Sequence, residues 1–263
     1  MTFTEYEGKR VVVTGCSSGV GYATALRLLD LGAEVIGISR REPAIGLTEF
    51  HSVDLASCDS INSAAVRIAG DIDALFNCAG APPVLPSLEI LKVNFLGPRL
   101  LTECLVDRMP PGSAIVSVSS SIAGAWRRNF DHVREFVATP GYDGGVSWYE
   151  RNADLAGHGY PFSKEALTVW TLEQSRRLVK RGVRINSTSP GAVQTPMLDI
   201  SERAFPQELL AATLQPIGRV STVDEQVQPL LFLNSKGASY INGADLAVDG
   251  GHVAMMSGAG STW

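Results

Sequence analysis

Tyr160 and Lys164 stand four residues apart in Tyr160-Pro161-Phe162-Ser163-Lys164, which places both side chains on one face of a helix. A free phenol ionises near pH ~10, and an ammonium beside it favours the phenolate and lowers that value. The pair can therefore give a proton to a carbonyl oxygen or take one from an alcohol. Upstream, the apolar run Ile115-Val116-Ser117-Val118 leads into Ser119-Ser120-Ser121. A hydroxyl there can hold the reacting oxygen against Tyr160, while at least one of the three serines is plain turn chemistry. Nearer the N-terminus, Thr14-Gly15-Cys16-Ser17-Ser18-Gly19-Val20-Gly21 separates Val11-Val12-Val13 from a helical stretch beginning at Tyr22. Gly15 permits a tight exit from a strand, Gly19 lets backbone approach a pyrophosphate, and Gly21 lets helix and strand pack closely. The backbone N–H groups of Ser17, Ser18 and Val20 and the helix dipole then face an anion.

These groups need a frame, and the chain alternates apolar strand-like runs with helical stretches. Strands are expected at residues 11–13, 34–38, 50–53, 74–77, 114–118, 183–187 and 245–248. Helices are expected at residues 22–29, 58–69, about 90–105, about 161–180 and 223–233. Apolar strands joined by helices predict an α/β chain, a doubly wound parallel sheet of the Rossmann type covered on both faces. With 263 residues the expectation is a single domain, 1–263.

The motifs together resemble the short-chain dehydrogenase/reductase family, through the spacing Gly-x-x-x-Gly-x-Gly after Thr14 and the Tyr160/Lys164 pair. Asp54-Leu55 resembles the family's adenine-contacting segment. Asn77-Cys78-Ala79-Gly80 resembles its Asn-Asn-Ala-Gly motif, with Cys78 for the second Asn. Asn94 sits in Val93-Asn94-Phe95-Leu96-Gly97, similar to the segment carrying the catalytic Asn. Pro190-Gly191, with Val193 and Thr195, resembles the segment closing over the nicotinamide, and Asp249-Gly250-Gly251 the C-terminal signature. The resemblance implies alcohol–ketone interconversion with Tyr160 as acid/base and Lys164 also holding the nicotinamide ribose. It further implies that Asn94 helps hold a water that relays protons, although a mid-helix Asn could equally face solvent. Strand register favours Ser120 as the serine holding the substrate oxygen, whereas alignment on the following Gly124 favours Ser121.

Cofactor choice turns on the end of the second strand, Ile38-Ser39-Arg40-Arg41. Ser39 stands where the family's NAD members carry an Asp, and Arg40 could pair a 2′-phosphate bidentately. NADP(H) is the expected cofactor, with NAD(H) the alternative and Glu42 a weak competitor for the site.

Two stretches depart from the family pattern. Only a short segment separates Arg41 from Asp54, and Pro43 and Gly46 argue for a loop rather than a helix there. Between Ser120 and Tyr160, residues 122–158 form an insertion expected to be helical and to cover the substrate. Both resemble the bacterial 3α-hydroxysteroid dehydrogenase/carbonyl reductase branch, which implies a homodimer and a steroid-like, polycyclic or aromatic substrate. The insertion holds Trp126, Phe130, Phe136, Tyr142, Trp148 and Tyr149. These suggest either an aromatic substrate pocket or simple packing of the insertion. Gly141, Gly144 and Gly145 suggest the hinge of a lid. His158, two residues before Tyr160, reads as a surface or packing residue, with a place lining the site as the alternative, and the four histidines show no metal spacing.

Composition narrows the partners. Net charge is −5 with scattered Lys and Arg, unlike the basic stripe that nucleic acid demands. Arg176, Arg177, Lys180 and Arg181 read as a solvated helix face. No run approaches the ~18 apolar residues of a membrane span, residues 1–8 are too polar for a signal peptide, and four cysteines lack a disulfide pattern. A cytoplasmic protein acting on a small molecule is expected. The competing functions are an epimerase or dehydratase on the same scaffold, and a nucleotide-sensing regulator without chemistry.

Overall fold

The computed structural model describes residues 4–206 and 216–258. Seven parallel strands run β1 Arg10–Thr14, β2 Glu34–Ser39, β3 Glu49–Ser52, β4 Ala74–Asn77, β5 Ala114–Val118, β6 Arg184–Pro190 and β7 Asp245–Val248. They are ordered β3-β2-β1-β4-β5-β6-β7. The order reverses between β1 and β4, which opens a crevice at the carboxyl ends of the strands.

Alternation along each strand divides the core. Val11, Val13, Val35, Phe76 and Val116 pack with Ala25, Leu28, Leu230 and Leu231, from α1 (Gly19–Asp30) and α10 (Val223–Asn234). Val12, Ile36, Leu75, Ile115 and Ile185 pack with Ile61, Leu101 and Trp170, from α2 (Cys58–Arg67), α4 (Gly97–Leu105) and α8 (Gly159–Leu178). Clothed on both faces, β1, β2, β4 and β5 read as near-continuous apolar runs, whereas β6 buries Asn186, Ser187, Thr188 and Ser189. Arg176, Arg177, Lys180 and Arg181 are exposed at the end of α8 and just beyond. No described helix is long and apolar enough to cross a membrane.

Three local features matter for the site. Residues 40–48 carry no helix, so β2 reaches β3 through the expected loop. The helix expected from Ile90 to Leu105 begins earlier, at Ser87. It is broken by a π-helical turn over Lys92–Leu96, between α3 (Ser87–Leu91) and α4. Such a turn inserts one residue into the helical ladder and often marks a functional position; here it carries Asn94. The insertion is helical, with a 3₁₀ segment Ser121–Arg127, then α5 (Phe130–Val137), α6 (Gly141–Arg151) and α7 (Ala153–Ala156).

The insertion is bolted down, and Gly144 and Gly145 are helical rather than hinge positions, while Gly141 turns the chain into α6 with φ +64°. Gly144 and Gly145 lie inside α6, and a Cβ on Gly145 would strike the Leu96 side chain. The glycine is there for close helix approach. Arg99 on α4 donates to the carbonyls of Val137 (3.1 Å) and Thr139 (2.7 Å), and Tyr142 Oη donates to the Ala56 carbonyl (2.6 Å). Phe136 meets Phe95, Trp148 and Phe162 at centroid separations of 5.2, 5.2 and 5.3 Å. Replacing Gly145 with Val is expected to lower stability by about 1–3 kcal/mol through this overpacking, read as a drop in Tm.

Candidate active site

A cavity of about 620 Å³ opens at the carboxyl ends of the strands, within the range of small-molecule and cofactor sites. Its floor is the turn after β1. Gly15 has φ +70°, where L side chains rarely go, and a Cβ there would lie 2.7 Å from Ala79 Cα. A Cβ at Gly21 would strike the Gly15 carbonyl, so the first turn of α1 sits directly on the strand exit. The Ser18 side chain makes no capping hydrogen bond to the first turn of α1. Glycine turn and helix end thus form a cradle that suits a pyrophosphate: the first-turn amides of α1 carry no side-chain cap.

The cradle continues to the end of β2. Ser39 is buried, and its Oγ donates to the Arg41 carbonyl (2.5 Å). Arg40 and Arg41 are exposed, line the cavity and have no ion-pair partner among the described residues. Glu42 is not part of the lining, whereas Asp54 and Leu55 are. Ala79 and Gly80 line the middle of the cavity, the Ala79 amide donating to Thr14 Oγ1 (3.0 Å). Asn77 does not reach it. Its amide donates to Thr102 Oγ1 (3.2 Å) and Ser117 Oγ (3.3 Å), tying β4 to α4 and β5. The residue that lines the cavity is Cys78, whose thiol burial pushes up to about 12.

The other end of the cavity gathers the expected chemistry. Tyr160 and Lys164 come from the first two turns of α8, and Ser120 from the cap of the 3₁₀ segment after β5. Ser120, Tyr160 and Lys164 line the cavity, and Ser121 does not. Ser119 is buried, with Oγ bonded to the Lys164 carbonyl (3.1 Å) and to Thr168 Oγ1 (3.0 Å), which makes it the structural serine. Burial raises the Tyr160 pKa and a hydrogen bond with Ser120 works in the opposite direction. The downward pull expected from Lys164 is not seen. Its Nζ lies 5.8 Å from the phenol ring centroid and donates to the Val118 carbonyl (2.8 Å). Burial lowers the ammonium's own pKa to about 8.

Asn94 is buried rather than solvent-facing. Its Oδ1 accepts from the Ala81 amide (2.6 Å) and its Nδ2 donates to Ser163 Oγ (3.2 Å), which in turn donates to the Tyr160 carbonyl (2.7 Å). A Cβ built on Gly80 would sit 3.6 Å from Asn94 Oδ1 and 4.0 Å from Lys164 Nζ. The π turn therefore brings Asn94 up to α8, beside Tyr160 and Lys164. Pro190, Gly191, Val193 and Thr195 line the cavity at the end of β6. Thr195 also caps α9 (Pro196–Ala204), accepting from the Leu198 amide at 3.4 Å. Asp249 accepts from the amides of Gly251 (2.9 Å) and Val253 (2.8 Å), so the Asp249-Gly250-Gly251 turn caps the helix α11, His252–Gly258.

Several wall residues escaped the sequence. Of residues 122–158, only Ile122 and His158 line the cavity. The insertion's aromatics pack against the domain and against one another, so the packing alternative holds. The apolar wall is made instead by Pro82, Pro83 and Leu85 after β4, and by Met197, Leu198 and Phe205 around α9. Nothing in their local pattern separates them from ordinary core or loop residues. His158, expected at the surface or in packing, caps α8 with Nδ1 accepting from the Tyr160 amide (3.2 Å).

Comparison with known proteins agrees with this geometry. The family model described as short chain dehydrogenase matches residues 9–130, and the one described as enoyl-(acyl carrier protein) reductase matches residues 149–253. The chain is 35% identical to the coniferyl-alcohol dehydrogenase of Pseudomonas sp. (strain HR199 / DSM 7063), over 92% of this chain and 96% of the relative. It is 28% identical to the 3-alpha-hydroxysteroid dehydrogenase/carbonyl reductase of Comamonas testosteroni, over 94% and 97%. Among solved structures, the 3-alpha-hydroxysteroid dehydrogenase from Pseudomonas sp. B-0831 complexed with NADH superposes with a TM-score of 0.82 at 29% identity, covering 96% of this chain and all of the neighbour.

Proposed function

The chain belongs to the short-chain dehydrogenase/reductase family of oxidoreductases, and from that premise we propose that it interconverts a ring-bearing secondary alcohol and its ketone, with Tyr160 moving the proton. The observation that carries this reading is the meeting of Tyr160, Ser120 and Lys164 at one end of a cavity whose other end is a pyrophosphate cradle. A nicotinamide dinucleotide bound there supplies or accepts the hydride. The Gly15–Gly21 turn, with Ser17, Ser18 and Val20, holds its pyrophosphate, and Asp54 and Leu55 its adenine. Ala79, Gly80 and Lys164 hold the nicotinamide half, with Pro190, Gly191, Val193 and Thr195 closing over it.

The protein's own groups do the rest. Ser120 holds the substrate oxygen against Tyr160 Oη. Burial keeps the phenol protonated at neutral pH, which suits it to donate during ketone reduction. In the reverse direction the phenolate takes the alcohol proton, and the hydrogen bond with Ser120 is what favours that form. Asn94 helps carry protons from Lys164 towards solvent. The apolar wall from Leu85 to Phe205 suits a hydrophobic ring skeleton. The coniferyl-alcohol and hydroxysteroid dehydrogenases that the chain resembles both act on ring-bearing alcohols. Coniferyl alcohol is a primary alcohol, so aryl aldehydes belong on the substrate panel beside ketones. A homodimer fits an insertion whose α5 packs on α8, leaving less of that helix for a second interface.

For the cofactor we infer a preference for NADP(H). Ser39 presents no carboxylate, and Arg40 and Arg41 have charge to spare for a 2′-phosphate. The competing reading, NAD(H), draws on the NADH held by the hydroxysteroid dehydrogenase neighbour. The test is consumption of NADPH and NADH, followed at the reduced-nicotinamide absorbance band, with steroid, aryl and small aliphatic ketones and with aryl aldehydes. Faster turnover with NADPH is expected. The double variant Arg40→Ala/Arg41→Ala should lower the NADPH-to-NADH ratio of kcat/KM by about 10–100-fold, the worth of one or two charged hydrogen bonds. An NADH-preferring wild type whose ratio the double variant leaves alone would assign the enzyme to NAD(H). Consumption of neither cofactor with any carbonyl, despite dinucleotide binding, would favour a nucleotide-sensing regulator.

A further inference from the structure

His158 is fixed at the cavity in a way that leaves one donor free. Gly157 turns the chain with φ +56°, and Gly159 is pressed onto Ser87, its amide donating to Ser87 Oγ (3.0 Å). Between them the imidazole caps α8, Nδ1 accepting from the Tyr160 amide (3.2 Å). An accepting Nδ1 carries no proton, so the neutral ring bears its hydrogen on Nε2. Nε2 has no partner among the described residues, and the side chain is exposed and lines the same cavity as Tyr160. Other residues lining the same cavity differ from it in this respect. Leu85, Ile122 and Met197 are apolar, and Ser201 spends its hydroxyl proton on the Met197 carbonyl (3.0 Å). Tyr160 and Ser120 are committed to the reacting oxygen.

We propose that His158 determines substrate specificity, its Nε2–H donating to an acceptor oxygen that the substrate carries away from its reacting carbonyl. The inference rests on the reading that Tyr160 reacts with a carbonyl, and it narrows the substrate to oxygenated ring compounds: phenols, aryl ethers or polycyclic diketones. A donor pre-set by its capping bond loses little freedom on binding.

The test is calorimetric binding of 4-hydroxyacetophenone and of acetophenone to protein saturated with oxidised dinucleotide. Wild type is compared with His158→Ser, which keeps an N-cap acceptor but lacks the ring N–H, and with His158→Asn, which restores both acceptor and N–H. The ratio of the two affinities should fall about tenfold in the Ser variant, the worth of one hydrogen bond, and recover in the Asn variant. An equal loss for both ketones would reduce His158 to a helix cap and overturn the proposal. So would an unchanged ratio, or a wild type that does not bind the hydroxylated ketone. Turnover of the same ketones by wild type and by Tyr160→Phe checks the underlying reading separately, since binding ratios are readable without turnover.

Discussion

Replacing Tyr160 with Phe is expected to lower kcat for ketone reduction by about a thousandfold, within the usual range for a lost general acid, while dinucleotide affinity stays within about twofold. Phe keeps the ring in the wall and removes only the hydroxyl. Ser120 cannot replace it, because an ordinary hydroxyl is too weak an acid to donate at neutral pH. The direction of the Tyr160 pKa shift fixes the pH dependence. Because burial raises it above the ordinary phenol value, reduction by the wild type should be flat through neutral pH and fall only as the phenol ionises. Alcohol oxidation, which needs the phenolate, should rise with pH over the same range. Single-turnover rates in both directions across pH would check this. A Phe variant with wild-type rates would remove Tyr160 from the chemistry.

Lys164→Met carries the second large effect, and it acts on activity and stability in opposite senses. Turnover should fall by about 10²–10³-fold and dinucleotide binding should weaken, because Nζ is lost from both tasks. Stability of the protein without added cofactor should rise. The ammonium is buried and its pKa is lowered to about 8, so below that pH the folded state carries a charge it accommodates poorly. Between about 8 and the unfolded lysine value near ~10.4, the unfolded chain holds the extra proton, and wild-type stability climbs with pH. At neutral pH the Met variant should be more stable by about 2 kcal/mol, after allowing for the lost bond to the Val118 carbonyl. The gap should close as pH rises from 8 to 10. Denaturant melts at pH 7 and 10 would check it; an unstabilised variant at pH 7 would mean that the lysine is better solvated than its burial implies.

Both effects concern residues legible from sequence, and the reasons are local. Tyr160 and Lys164 are joined by helix periodicity alone, and Gly15, Gly19 and Gly21 by the demands of one strand-to-helix turn. Strand–helix alternation was sufficient for the parallel sheet, because most strands covered on both faces read as near-continuous apolar runs. What escaped depends on long-range packing. The π turn at Lys92–Leu96 has no sequence signal, yet it is what brings Asn94 to Ser163 and Ala81. The insertion's aromatics declare burial but not against what, and Phe136 and Trp148 are spent on Phe95 and Phe162. Gly144 and Gly145 look like a hinge only until their helix is placed against Leu96. Asn77 belongs to a motif whose Cys78, Ala79 and Gly80 line the cavity, but its own side chain is turned to Thr102 and Ser117 instead. The nearness of His158 to Tyr160 in sequence pointed to the cavity, but its capping bond to the Tyr160 backbone left no trace in the pattern.

The measurement closest to the chemistry is the fate of the hydrogen at the nicotinamide C4. Dinucleotide deuterated at C4, on each face in turn, would be incubated with the wild type and an aryl ketone that it reduces. Mass spectrometry would then locate the label in the alcohol. One deuterium on the carbinol carbon, from one face only and absent from the Tyr160→Phe reaction on the same timescale, is the expected result. Alcohol formed without label from either face, or no alcohol from any ketone although the dinucleotide binds, would contradict hydride transfer in this cavity.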